Sequence, residues 1–273
     1  MSRQALKNHL VSSGLCEDSA AAEALVMAGK VLVNEQPAKA GQEVKPEDQV
    51  RLRESACPYA SKGGLKLEGA LRVFQIQVQG RVCLDAGAST GGFTDCLLKH
   101  GAGRVYAVDT GFGQLTGALR QEKRVVNLER TNLSDPSLMD LDPTPDLATC
   151  DLSYLSLRRA VPVYRDILHG NGEVIALVKP LFEVDSPEVR RSGVIPDSAY
   201  LPMLMDLIHY LNGLRGLAVM DICASPVTGS AGTIEFFLHI LAGEGRKAAD
   251  LQDKVISSVR QGLETGNFKK WAK

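Results

Sequence analysis

Lysines and carboxylates gathered along one edge of a sheet can bind, orient and move protons. This chain sets such residues at the ends of successive expected strands: Asp85 after residues 82–84, Asp109 after 104–108, Asp151 after 147–150 and Lys179 after 173–178. Glu235 falls early in a last strand, 233–241, just past a turn at Gly232. Ligands of open α/β sheets bind outside the carboxyl ends of the strands, so charge recurring at that edge reads as a site rather than as scattered solvent-facing groups. Lys62 and Lys66, four residues apart on a helix ahead of the first strand, project near one another, and Lys66 joins the candidates.

The elements that must position these residues alternate. Leu67, Ala70, Leu71 and Phe74 have the spacing of a helix lying on a core. Val82-Cys83-Leu84 then runs through Asp85 into a loop with Gly87, Gly91 and Gly92, a strand, glycine loop and helix in succession. Glycines let the backbone turn tightly and approach a ligand, while the free N–H groups of the next helix face the space above the strand end. Further helices are expected at 114–120, 156–168 and 199–211, and further strands at 125–128 and 217–223. The rhythm predicts an α/β fold with a parallel sheet covered on both faces, the last two strands including an antiparallel pair.

Residues 1–56 read as a separate small module, with two short helices, a hairpin around Asn34-Glu35-Gln36-Pro37 and an extended segment at 49–52. Residues 57–61, with Pro58, read as a linker to an α/β domain at 62–243, followed by a tail at 244–273. The tail carries seven basic against four acidic residues, and Trp271 either packs or stacks on a base.

Composition narrows the class. With 273 residues and 44% hydrophobic content the chain can bury a large core, and a net charge of −1 requires any polyanionic partner to be met by a local patch. Six scattered cysteines without a C-x-x-C pair predict reduced, packed thiols in a cytoplasmic protein, with no metal site. No signal peptide is expected, and the longest apolar region, 201–222, is interrupted by Asp206, His209, Asn212, Arg215 and Asp221, too polar for a bilayer span.

Asp109 ends the strand after the glycine loop, roughly twenty residues on, where an acidic side chain accepts hydrogen bonds from ribose hydroxyls. That spacing serves a nicotinamide dinucleotide as well as S-adenosylmethionine. The loop sequence D-A-G-A-S-T-G-G-F lacks the three spaced glycines that a pyrophosphate wants, and it tolerates Ala86, Ala88 and Ser89. Methyl transfer is favoured.

The segments KGGLKLEGAL, VCLDAGASTGGFTDCLL, VYAVDTGFGQL, LERTNL, CDLSYLSL, ALVKPLFE and SPVTGSAGTIEFFLHI closely resemble the TlyA-type ribosomal RNA methyltransferases, whose catalytic domain is of the FtsJ kind. Some members carry the label haemolysin. The stretch AEALVMAGKVLVNEQPAKAGQEVKPEDQVRL resembles the alpha-L RNA-binding motif, named after a small-subunit ribosomal protein. The resemblance implies a Rossmann-like class I methyltransferase with a mostly parallel seven-stranded sheet, plus a small N-terminal α+β RNA-binding domain. It implies S-adenosylmethionine as cofactor and methylation of a ribose 2′-hydroxyl, typically of cytidine, in ribosomal RNA within ribosomal subunits, with no membrane or metal partner. The catalytic quartet it implies is Lys66, Asp151, Lys179 and Glu235. The cofactor would be held by Asp85, Gly87, Ala88, Ser89, Thr90, Gly91, Gly92, Phe93, Asp109 and Asp151.

A ribose hydroxyl is a poor nucleophile that must be held in line and relieved of its proton. Lys179, at a buried strand end with Lys66 nearby, is expected to be a base lowered in pKa by desolvation and like charge, with Asp151 orienting it and Glu235 holding Lys66 or the ribose. Arg190 and Arg191 are candidate phosphate contacts. The N-terminal module has seven basic against eight acidic residues, with Ala5, Ala20 and Ala21 where arginines are common, which predicts a weak or narrow phosphate grip. The competing readings are a nonenzymatic ribosome-assembly factor and a membrane-active haemolysin.

Overall fold

Short apolar patches separated by turn residues build the first part of the chain. In the computed structural model, which describes residues 3–16, 18–52, 57–229, 232–243, 248 and 250–271 with side chains to 265, the order is β1 (Gln4–Ala5), α1 (Leu6–Ser12), α2 (Ser19–Met27), β2 (Val31–Val33), β3 (Gln36–Pro37), β4 (Glu43–Val44) and β5 (Val50–Leu52). Asp18 starts α2 by accepting from the Ala21 N–H at 2.7 Å. Asn34 and Glu35 have φ of 50° and 64°, the left-handed pair that closes a two-residue hairpin between β2 and β3. β3, β2 and β5 form one small sheet, β1 and β4 another. Their core is Leu6, Leu10, Ala22, Val31, Val33 and Val44.

The chain divides into two compact units, residues 1–56 and 57–273. The second begins with α3 (Lys62–Phe74), β6 (Val82–Ala86), α4 (Gly92–Lys99), β7 (Arg104–Asp109), α5 (Gly117–Gln121) and β8 (Val125–Glu129). After a single 3₁₀ turn, β9 (Leu147–Cys150), α6 (Leu157–Ile167), β10 (Gly172–Val178), α7 (Pro180–Glu183), α8 (Pro187–Ser192) and α9 (Asp197–Gly213) follow. β11 (Leu217–Ala224), β12 (Phe236–Ala242) and α10 (Leu251–Trp271) complete it. The seven strands lie in the order β11-β12-β10-β9-β6-β7-β8, and β12 runs antiparallel to both of its neighbours. This is the mostly parallel α/β sheet that the alternation predicts.

Both faces are covered. Tyr164, Leu204, Leu207, Phe236 and Val255 belong to one core layer, and Leu67, Leu97, Val105, Ile175 and Phe237 to the other. Residues taken from sequence as linker and tail take part: Tyr59 is buried in the second layer, and Leu251, Val255 and Val259 of α10 are buried in the first. The apolar 251/255/259 spacing, one residue per turn, is what docks α10, so most of the stretch read as a charged tail packs on the core. At the edge where the parallel strands begin, Arg81 bridges Asp146 and Glu173, and Glu173 also accepts from His239. The His239 hydrogen bond, with Arg81 beside it, holds the Glu173 carboxyl down at about 2.

Two features of the sheet create the opposite edge. β6 leads to β7 and β8 on one side while β9 and β10 build on the other, so the chain's direction of growth reverses between β6 and β9 and leaves a crevice above them. Because β12 is antiparallel, its first residues reach the same edge, and its strand begins at Phe236 rather than at 233. Val178 pairs with Phe236, so Lys179 and Glu235 are the next residues outward on neighbouring strands.

Candidate active site

Ala86 pairs with Cys150 across the crevice, and the next residues outward are Gly87 and Asp151. A Cβ on Gly87, whose φ is 84°, would stand 2.5 Å from the Asp151 carbonyl oxygen, so only glycine lets these two strand ends meet. Gly91, with φ of 97°, precedes α4, and a Cβ there would stand 2.2 Å from Leu119. The loop is therefore fixed from both sides before any ligand arrives.

Three clefts meet above these strand ends. One, of about 680 Å³, is lined by Gly87, Ser89, Asp109, Asn132, Leu133 and Asp151 among others. The second, about 400 Å³, lies between the N-termini of α3 and α4 and touches Lys66, Ala88, Thr90, Gly92 and Phe93. The third, about 310 Å³, is bounded by Lys66, Ser153, Tyr154, Lys179, Phe182 and Glu235. Asp151 borders all three.

The charged groups form two lysine–carboxylate pairs. Lys66 Nζ donates to Glu235 Oε2 at 2.5 Å, joining residues 169 positions apart, and the side chains are 13% and 7% exposed. Burial pushes the Glu235 carboxyl above its ordinary range, against the pull of Lys66. Lys179 Nζ stands 2.6 Å from Asp151 Oδ1 and donates to Ser153 Oγ at 3.2 Å. The Lys179–Asp151 approach is an ion pair without hydrogen-bond alignment, so Asp151 Oδ1 is buried with no donor along a lone pair. Asp109 accepts from the Ser89 N–H at 2.8 Å and the Gly111 N–H at 2.7 Å, one on each carboxylate oxygen. A carboxylate has about four acceptor sites, so two remain for a ligand.

The FtsJ-like methyltransferase profile matches residues 59–241, two thirds of the chain, and the S4 domain profile matches residues 6–50. The chain belongs to the TlyA-type, FtsJ-like methyltransferases. It is 37% identical to the 16S/23S rRNA (cytidine-2′-O)-methyltransferase TlyA of Mycobacterium tuberculosis strain H37Rv, covering 93% of this chain and 96% of that protein. Identity to YqxC of Bacillus subtilis strain 168, named as a candidate rRNA methyltransferase, is 39%, covering 92% of this chain and 90% of that one. A solved structure from Streptococcus thermophilus, named as a candidate hemolysin, is 33% identical with a TM-score of 0.72, over 99% of this chain and 98% of that one.

Within the FtsJ-like domain, Lys66, Asp151, Lys179 and Glu235 come together at one cleft; the glycine loop lines the other two, and Asp109 the larger of them. Asp85 does not join them. It is fully buried beneath the loop, accepting from Thr94 Oγ1 at 2.7 Å and Thr149 Oγ1 at 2.9 Å, so it supports the loop's base and lines none of the three clefts. Arg190 and Arg191 sit in the last turn of α8 and bond to their own segment, at Val184 O and Pro187 O. The Trp271 side chain and the basic residues 269, 270 and 273 lie outside the described side chains. Sequence reasoning missed Ser153, which meets the Lys179 ammonium, and Tyr154, whose φ of 64° and 90% exposure set its ring 5.3 Å from Phe182. Their one signal was position, directly after Asp151. Asn132 and Leu133, also assigned no role, line the largest cleft.

Burial pushes the Asp85 carboxyl from an ordinary 3.8 up to about 6, against the lowering effect of the two threonine hydrogen bonds. Between those values the folded chain holds a proton that the unfolded chain has released, so this group makes stability fall as pH rises from about 4 to about 6. Asp85→Asn is expected to remove that part of the slope, about 2–3 kcal/mol at 1.36 kcal/mol per pKa unit. Urea melts of both proteins across this range check it; parallel curves would contradict a protonated Asp85.

Proposed function

We propose that this chain transfers a methyl group from S-adenosylmethionine to a ribose 2′-hydroxyl, that of a cytidine in ribosomal RNA. The observation that carries the reading is the pair of lysine–carboxylate contacts around a cleft that shares Asp151 with the glycine-loop clefts. The relatives named for cytidine 2′-O-methylation support the substrate class, and the S4 domain supports an RNA partner.

The cofactor fits the residues present. Asp109 has acceptor sites left for a ribose diol, the 680 Å³ cleft suits a nucleoside-sized group, and Asp151 places a carboxylate where all three clefts meet. When bound, S-adenosylmethionine supplies an electrophilic methyl group on a sulfonium centre. Lys179 Nζ is the proposed acceptor of the 2′-hydroxyl proton, and Asp151 together with Ser153 fixes where that nitrogen sits. Lys66, held by Glu235, offers its remaining N–H groups to the same ribose and orients it for attack. Tyr154, largely exposed at the mouth, offers an aromatic face to an unpaired base. No group of residues able to hold a metal ion occurs among the described residues, and none of their helices is long and apolar enough to cross a membrane.

The test is transfer of labelled methyl from S-adenosylmethionine to ribosomal subunits, followed by alkaline hydrolysis. A 2′-O-methyl group blocks cleavage at its own phosphodiester, so label is expected in alkali-resistant dinucleotides. Label in mononucleotides would mean base methylation and contradict the reading.

A further inference from the structure

Glu183 is a titratable group that the mechanism above leaves unused. It ends α7, the four-residue helix that follows Lys179 directly. Its carboxylate reaches the start of α6, accepting from Ser156 Oγ at 2.7 Å through Oε2 and from the Leu157 N–H at 2.7 Å through Oε1. Ser156 is itself the N-cap of α6, its hydroxyl accepting from the Arg158 N–H. One carboxylate thus satisfies a free backbone donor at a helix N-terminus and fixes the hydroxyl that satisfies another. Burial raises the Glu183 carboxyl above its ordinary range, opposed by the Leu157 and Ser156 hydrogen bonds.

The two segments joined in this way are the ones that carry the proton-transfer pair. Residues 151–155, between β9 and α6, include Asp151, Ser153 and Tyr154; residues 179–183 include Lys179 and Phe182. Polar and ring contacts that also join them include Lys179 to Asp151, Lys179 to Ser153, and the Tyr154 ring to Phe182. All three lie at the cleft, where substrate must enter and where Lys179 must be free to exchange partners. The Glu183 contact lies behind them, at the base of the loop.

We propose that Glu183 is a positioning residue for methyl transfer, a clamp that holds the Asp151–Ser153 loop against the Lys179 segment while the contacts at the cleft are exchanged for substrate. This rests on the methyltransferase reading above. Without the carboxylate, the loop keeps its sequence and its cleft residues but loses its anchor, and the Lys179–Asp151 distance is no longer fixed from behind.

Methyl transfer to ribosomal subunits is measured for the intact wild-type chain and for Glu183→Ala, Glu183→Gln, Ser156→Ala and the Glu183→Ala/Ser156→Ala double variant, with S-adenosylmethionine affinity from calorimetry. Misplacing a catalytic group by about 1 Å costs about 10²-fold, so Glu183→Ala is expected to lower kcat by about 10–10²-fold with KM for subunits little changed. Glu183→Gln keeps an acceptor for the Leu157 N–H and an amide N–H for Ser156 Oγ, and is expected to retain most activity. The double variant is expected to be no slower than the worse single variant, as for two residues of one device. A kcat unchanged in Glu183→Ala, or lost equally in Glu183→Gln, overturns the clamp; so does loss of kcat in step with loss of thermal stability across all four variants. If the wild-type chain binds S-adenosylmethionine but methylates no subunit, the proposed function fails and the clamp with it.

Discussion

Lys179→Ala is expected to lower methyl transfer by about 10²–10⁴-fold, the range over which a positioned acid or base contributes, while S-adenosylmethionine still binds. The two effects separate because the groups differ in location. Asp109, the glycine loop, Asn132 and Leu133 line the large cleft, whereas Lys179 borders only the one it shares with Lys66 and Glu235. Folding should survive the substitution. Asp151 is 24% exposed, so its charge stays partly hydrated once the lysine is gone. Calorimetric titration with S-adenosylmethionine beside a transfer assay checks both halves, and activity retained in Lys179→Ala would remove the proposed base.

Lys66→Ala is expected to behave differently, costing both activity and stability. Its partner Glu235 is 7% exposed, and breaking a buried pair from one side costs about 3–5 kcal/mol. Glu235 is already raised by burial and loses the cation that holds it down, so it can escape part of this cost by taking up a proton. A raised carboxyl makes stability fall as pH rises, so the penalty should be smaller in mildly acidic buffer than at neutral pH. Lys66→Ala/Glu235→Gln, with no stranded charge, should recover most of the stability and none of the transfer. Denaturant melts at two pH values and a transfer assay separate the outcomes; activity restored along with stability would assign the pair a purely structural role.

Much of this arrangement was legible because buried parallel strands end abruptly. A run such as Leu147–Cys150 or Gly172–Val178 must stop at the first polar residue facing the crevice, and that residue is Asp151 in one case and Lys179 in the other. Glu235 obeys the same logic only because β12 runs backward, which the turn-rich segment before it hinted at. Lys66 was different: nothing local links it to a carboxylate 169 residues away, and its role came from the resemblance of KGGLKLEGAL alone.

What stayed hidden depends on side-chain direction and long-range packing. Asp85 shares the strand-end signature with Asp109 and Asp151, yet Thr94 from α4 and Thr149 from the neighbouring strand turn its carboxylate into the interior. The positive φ of Tyr154 leaves no mark on residue type, since tyrosine is not a residue that favours it. The docking of α10 rests on three apolar residues in a polar stretch. The S4 unit shows the opposite case, a turn readable from Asn34-Glu35-Gln36-Pro37 although its last two residues form β3, and the unit's ion pairs, Lys7 with Glu23 and Arg51 with Glu35, occupy two of its few basic side chains.

The most direct test of the central claim is nucleoside mass spectrometry of ribosomal RNA from cells that lack this protein and from the same cells expressing either the wild-type chain or Lys179→Ala. The account predicts 2′-O-methylcytidine restored by the wild-type chain and not by Lys179→Ala. A methyl group restored on a base, or 2′-O-methylcytidine restored equally by both proteins, would contradict it.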